Sequence, residues 1–241
     1  MKNKLCMLLL ATGIGLFSCA EKELPEEYTD SVNVFIGTGG HGHTFPGATL
    51  PHGMVQLSPD TRLFGWDACS GYYYNDSTIN GFSHTHLSGT GCGDYGDVLL
   101  MPTVGKQDYQ AMGSKSQQMA YASAFSHQNE MAQPGYYSVV LDRYNVKAEL
   151  TATKRAAIHR YTFPQSDESG FILDLDYSLQ RQKNEEMELE VISDTEICGR
   201  KKTVYWAFDQ YINFYAKFSK PFTYTMVTDS MVLDEGGPLL P

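Results

Sequence analysis

His84 and His86 stand two residues apart, so on a β-strand both imidazoles leave one face and can share a metal ion, with Asp94 or Asp97 as third ligand. No H-E-x-x-H, and no other third ligand at a fixed distance, accompanies them. Hydrogen bonds to a neighbouring loop or to a hydroxylated ligand are therefore the reading adopted for the pair. His41 and His43 repeat the spacing inside a glycine-rich loop, where spacing fixes no geometry, and take the same reading, whereas His127 and His159 read as structural or solvated. Phe64-Gly65-Trp66-Asp67, followed by Gly71-Tyr72-Tyr73-Tyr74, gathers an indole, a carboxylate and several phenols near one loop. That combination suits a sugar, whose C–H face packs on an aromatic ring while carboxylates and imidazoles engage its hydroxyls. Trp66 alone would serve a core as readily; between Gly65 and Asp67 it becomes a ligand platform.

Other motifs fail on context. Gly91-x-Gly93-x-x-Gly96 spells a dinucleotide fingerprint, but that motif needs a strand before it, a helix after it and an acidic residue about 20 positions on. Here Asp97 to Met101 reads as a strand closed by Pro102. Gly37 to Gly42 lacks the Gly-Lys-Ser/Thr ending of a phosphate loop. Cysteines at 6, 19, 69, 92 and 198 include no C-x-x-C, which removes zinc knuckles and redox motifs. A Cys69–Cys92 disulfide stays open in an oxidising compartment. With 18 basic and 28 acidic side chains the net charge is -10, which repels a phosphate backbone and excludes nucleic acid as a partner.

The elements that must position these residues are strands. Short apolar runs recur between Gly, Pro and Asn at Val32–Ile36, Met54–Leu57, Val98–Met101, Tyr136–Leu141, Val146–Thr153 and Ala156–Phe163. They continue at Phe171–Leu175, Met187–Ile192, Thr203–Phe208, Ile212–Phe218 and Phe222–Val227. Many carry β-branched or aromatic residues at alternate positions, and none holds a helical period over three turns. An antiparallel β-sandwich is the expected architecture. Glu185, Glu186, Glu188 and Glu190 interleave with Met187, Leu189 and Val191, which makes them the solvated face of a strand. Two zones break the pattern, 37–51 and 64–95, and long irregular loops of this kind carry function. A third, 106–135, is expected to be loop with a turn of helix near Met119–Phe125. The sandwich is assigned to 31–235 and an irregular tail to 236–241, because Asp234 to Pro241 reads unlike a closing strand.

Residues 1–18 have a secretory layout, Lys2 and Lys4 before an apolar run too short to span a bilayer. Leu16-Phe17-Ser18-Cys19 looks like a bacterial lipobox, which makes Cys19 the expected lipidated first residue, with 19–30 as tether. Removing the leader takes two lysines and no acid, leaving a charge of -12 that keeps the chain off membranes except through that lipid. The expected location is the bacterial envelope, at the outer-membrane surface or in the periplasm.

The string Val34-Phe35-Ile36-Gly37-Thr38-Gly39-Gly40-His41-Gly42-His43-Thr44-Phe45-Pro46-Gly47-Ala48 resembles glycoside hydrolase family 92. Pro51 to Asp60, Gly65-Trp66-Asp67, Gly81 to Gly91, Asp94-Tyr95-Gly96-Asp97 and Gly135-Tyr136-Tyr137 fit the family's amino-terminal half. The resemblance implies an exo-acting, calcium-dependent, inverting α-mannosidase built from an amino-terminal β-sandwich and a carboxy-terminal (α/α)6 catalytic barrel. The family's acid, base and calcium ligands lie chiefly in that barrel, which this sequence lacks, so no catalytic residue and no metal site is assigned here. No calcium is expected on this chain. What carries over is a substrate-binding set of Gly65, Trp66, Asp67, His84, His86, Cys92 and Asp94. The expected partners are a mannose-containing glycan and a barrel that is missing or separately encoded, from a truncated, frameshifted or split gene. Alternatives are a non-catalytic glycan-binding surface lipoprotein and a structural surface protein with vestigial loops.

Overall fold

A computed structural model describes residues 27–107, 117–228 and 231–236. The leader and Cys19 lie outside the described residues. Along the chain run β1 (Ala48–Thr49), β2 (Gln56–Asp60), β3 (Thr78–Ile79), β4 (Gly81–Ser83), β5 (Leu99–Val104), β6 (Ser123–Ala124), β7 (Glu130–Gln133) and β8 (Tyr136–Leu141). There follow β9 (Val146–Ala152), β10 (Ala157–Thr162), β11 (Ser169–Asp174), β12 (Lys183–Ser193), β13 (Glu196–Val204), β14 (Gln210–Lys217), β15 (Tyr224–Thr228) and β16 (Met231–Gly236). Only single 3-10 turns interrupt them, and the described residues contain no α-helix.

Period-two burial explains why two of the sheets stack. In β9 the side chains of Val146, Ala148, Leu150 and Ala152 point inward, while Lys147 and Thr151 face solvent. These inward residues join Val139 and Leu141 of β8, and meet Leu57, Phe82, Leu99 and Met101 from the opposite sheet in one core. The first sheet has the order β1-β2-β4-β5-β11 and the second β10-β9-β8-β7, with every pairing antiparallel. Burying each large core side chain contributes roughly 1.5–3 kcal/mol, so this interface supplies the rigid floor on which the loops stand. A three-stranded sheet, β12-β13-β14, and the hairpin β15-β16 follow.

The structure corrects several expectations. Val32–Ile36 is a series of turns, because its amides bond locally (Ile36 N–H to Asn33 O, Val32 N–H to Thr29 O), and Ile36 is exposed. The strand expected at Thr203–Phe208 is instead the end of β13 and the tip that links it to β14. β13 itself escaped notice because Glu196, Arg200, Lys201 and Lys202 mask its alternation; yet Ile197, Lys201 and Thr203 are its buried positions. No helix forms near Met119–Phe125, where Ser123 and Ala124 pair with Ile79 and Thr78. The closing segment is strand through Gly236, with Asp234 opposite Met226. The acidic run of β12 is a solvated face, as read: Glu186 and Glu188 both pair with Arg200, at 3.0 and 2.9 Å.

Candidate functional site

Between β2 and β4 lies a buried polar hub that fixes the irregular loops. Ser83 Oγ donates to Asp60 Oδ2 at 2.6 Å, and His86 Nε2 lies 2.7 Å from Asp60 Oδ1. His86 Nδ1 donates to the Gln56 carbonyl at 2.7 Å, so both ring nitrogens face acceptors and the imidazole has no atom left for a ligand. The loop from Thr61 to Asp76 closes over this hub, with the Thr61 N–H and Arg62 N–H both donating to the Gly71 carbonyl. Arg62 holds Asp76 from Nε and Nη2 at 2.9 and 2.7 Å.

That loop presents Trp66. Gly65, at φ +121, turns the chain into the 3-10 turn Trp66–Ala68, a conformation only glycine adopts freely. Gln180 clamps the turn from the far side of the sequence, accepting from Gly65 N–H at 3.2 Å and donating to Gly65 O at 3.0 Å. The indole is 57 % exposed. His43 meets it edge-on at 4.3 Å between ring centroids, and His41 lies against it at 4.9 Å. His41 Nδ1 sits 2.6 Å from Asp67 Oδ1, which orients the carboxylate beside the ring. His43 is buried, its carbonyl accepting from Ser70 and Gly89, and its Nε2 has no partner. Gly91 packs against both rings; a Cβ there would fall 3.2 Å from His43 Nδ1 and 3.4 Å from Trp66 Nε1. Cys69 and Cys92 carry free thiols, and burial pushes the Cys69 thiol up.

The remaining sequence candidates lie deeper. Asp94 is buried and accepts from the Tyr95 and Ala207 amides at 2.9 and 3.0 Å, tying its loop to the β13–β14 tip. Asp97 accepts from Thr85 and Gln210 and faces the buried ammonium of Lys201 at 3.3 Å. His84 and His86 do not act as a pair, because β4 ends at Ser83 and the two rings reach different partners. His84 Nδ1 faces the Val98 carbonyl at 2.6 Å, and since a carbonyl only accepts, that nitrogen carries the proton. His84 Nε2 then accepts from His159 Nε2–H at 3.0 Å, and His159 Nδ1 accepts from the Tyr161 hydroxyl at 2.8 Å. Burial pulls His84 down to about 4 and His159 well below its ordinary value.

A pH dependence of stability follows. His84 is neutral in the fold but charges near pH 6.5 when unfolded, so its stabilisation is complete above that pH and is lost as pH falls toward 4. The loss for His84 alone is at most about 3 kcal/mol. Urea unfolding at pH 7 and pH 4.5 measures it, and His84→Asn, which keeps a donor toward Val98, is expected to flatten the slope; an unchanged slope contradicts the assignment.

Among the seven substrate-binding candidates, the structure brings Gly65, Trp66 and Asp67 together on an exposed surface, with Cys92 on the adjoining loop. It sets His86 and Asp94 in buried positions where they hold the loops, and turns the part-buried His84 toward Val98 and His159 instead. His41 and His43, the second histidine pair of the sequence, stand at the platform, and Gln180 joins it with no sequence signal. Residues 31–237 match the model of the glycosyl hydrolase family 92 N-terminal domain. The chain belongs to family 92. Among solved structures, it is 41 % identical to a family 92 α-mannosidase from Bacteroides thetaiotaomicron in complex with mannoimidazole, with a TM-score of 0.81 over 86 % of this chain and 27 % of that one. A family 92 inverting mannosidase from the same bacterium is 28 % identical, with a TM-score of 0.65 and the same coverage. An uncharacterized secreted glycosidase of Arthroderma benhamiae is 33 % identical over 160 residues, 66 % of this chain and 20 % of its own length. The matched part of this chain therefore spans between a fifth and about a quarter of the length of these relatives.

Proposed function

We propose that this chain is the amino-terminal, sugar-facing part of a calcium-dependent, inverting α-mannosidase acting on mannose-containing glycans. One observation carries the reading: an exposed indole flanked by an oriented His41–Asp67 pair, on a sandwich 41 % identical to an α-mannosidase bound to mannoimidazole. The C–H face of a mannosyl residue lies on Trp66, while Asp67 and His41 engage its hydroxyls.

The acid and the base come from elsewhere in the family's architecture. Inversion needs two carboxyl groups about 6.5–9.5 Å apart across the sugar, one of them free to protonate the leaving oxygen. Asp60, Asp94 and Asp97 are buried and engaged with His86, the Ala207 amide and Lys201. In this reading calcium resides with the acid and base. The barrel that supplies them packs against the Trp66 surface.

The test is an assay of α-linked mannobioside with calcium, using the purified chain alone and mixed with the catalytic region of a family 92 relative. No turnover alone, turnover on mixing, and its loss in Trp66→Ala are expected. Turnover by the chain alone contradicts the division of roles. The reading also places the protein at the bacterial envelope through a lipid on Cys19, so Cys19→Ala is expected to leave the membrane fraction; retention there with unchanged mobility contradicts the anchor.

A further inference from the structure

The tip between β13 and β14 carries Tyr205, Trp206 and Phe208 at 50, 64 and 82 % exposure, an aromatic cluster with no aliphatic residue beyond Ala207. Exposed rings on a floppy loop would mean little, but this tip is held in place. Tyr205 N–H closes it on the Ala207 carbonyl, and Ala207 N–H donates to buried Asp94. Asp209 pairs with Lys202 at 3.1 Å, and Gln210 Nε2 donates to Asp97 at 2.6 Å. Both anchoring carboxylates belong to the loop 91–97, whose first glycine packs on Trp66. Gly93 of the same loop packs on Gln180, the residue that clamps Gly65. A chain of direct contacts therefore fixes the aromatic tip relative to the Trp66 platform.

We infer that the tip is a second saccharide platform, which takes a mannosyl residue beyond the one on Trp66 and selects oligosaccharides over single sugars. This rests on the mannose reading of Trp66. Its chemistry is that of stacking: flat rings held rigidly receive the C–H face of a pyranose without ordering cost, while the exposed carboxylate of Asp209, held by Lys202, offers an acceptor for hydroxyls.

The chain has two tryptophans, Trp66 and Trp206, which makes the test direct. Trp206→Phe leaves Trp66 as the sole indole reporter, and Trp66→Phe leaves Trp206. Each protein is titrated with methyl α-mannoside and with an α-linked mannotriose, following tryptophan fluorescence. Trp66 is expected to respond to both sugars and Trp206 only to the trisaccharide. Trp206→Ala is expected to weaken trisaccharide binding about five- to tenfold and to leave the monosaccharide unchanged, in keeping with the worth of one aromatic stack. A responsive Trp66 with a silent Trp206, and trisaccharide affinity unchanged in Trp206→Ala, overturns the second platform while sparing the first. A Trp66 silent to both sugars overturns the mannose reading and this inference with it.

Discussion

Gly71→Ala is expected to lower the free energy of unfolding by at least about 3 kcal/mol and to reduce sugar binding in proportion. Gly71 stands at φ +85 with its carbonyl engaged by two amides, so the backbone cannot relax into another basin. A Cβ there would overlap Asp60 Oδ1 and lie 3.1 Å from His86 Cδ2. The methyl must therefore displace a buried carboxylate from its imidazole. Gly135→Ala is the control, because φ is +77 there and a Cβ would meet nothing within 4 Å. It carries only the left-handed backbone cost, about 1–2 kcal/mol. Urea midpoints of the two variants separate the clash from the dihedral strain; equal losses would show that the hub tolerates the methyl.

Asp60→Ala removes the hub from its centre. Ser83 Oγ and His86 Nε2, 3.0 Å apart, then lose the carboxylate that both face and keep only each other, at a site where the His86 and Asp60 side chains are both fully buried. Breaking one partner of such a pair costs about 3–5 kcal/mol, mostly as the penalty on the group left behind. The loss is expected to be non-additive with Gly71→Ala, since both act through the same carboxylate. Thermal unfolding of the single and double variants measures the coupling, and simple additivity would place the Gly71 effect elsewhere.

Much of the sandwich was legible because its strands alternate between two environments. Tyr136–Leu141 is a strand at the very bounds read from its pattern, since Gly135 sets the turn and the core asks for every second residue. β13 was hidden because its buried positions include Thr203 and Lys201, the latter's ammonium answered by Asp97 and the Tyr177 carbonyl far away in sequence. The site divides in the same way. The placement of Trp66 and Asp67 side by side on an exposed turn was legible because it is local to one segment. His84 and His86 looked like site residues because their type suggests ligands, whereas what decides their role is Val98, His159, Gln56 and Asp60, up to 75 residues distant. Gln180 gave no signal, because clamping Gly65 across 115 residues leaves no trace in spacing.

The central claim is that Trp66, oriented by the loops that Asp60 fixes, receives a mannosyl residue. Titrating the isotopically labelled chain with methyl α-mannoside to millimolar concentration, while following its two indole N–H resonances by NMR, tests this directly. The account predicts a saturable shift of the Trp66 resonance, a static Trp206 resonance, and loss of the Trp66 shift in Asp67→Ala. A Trp66 resonance that stays in place while other signals titrate would contradict it.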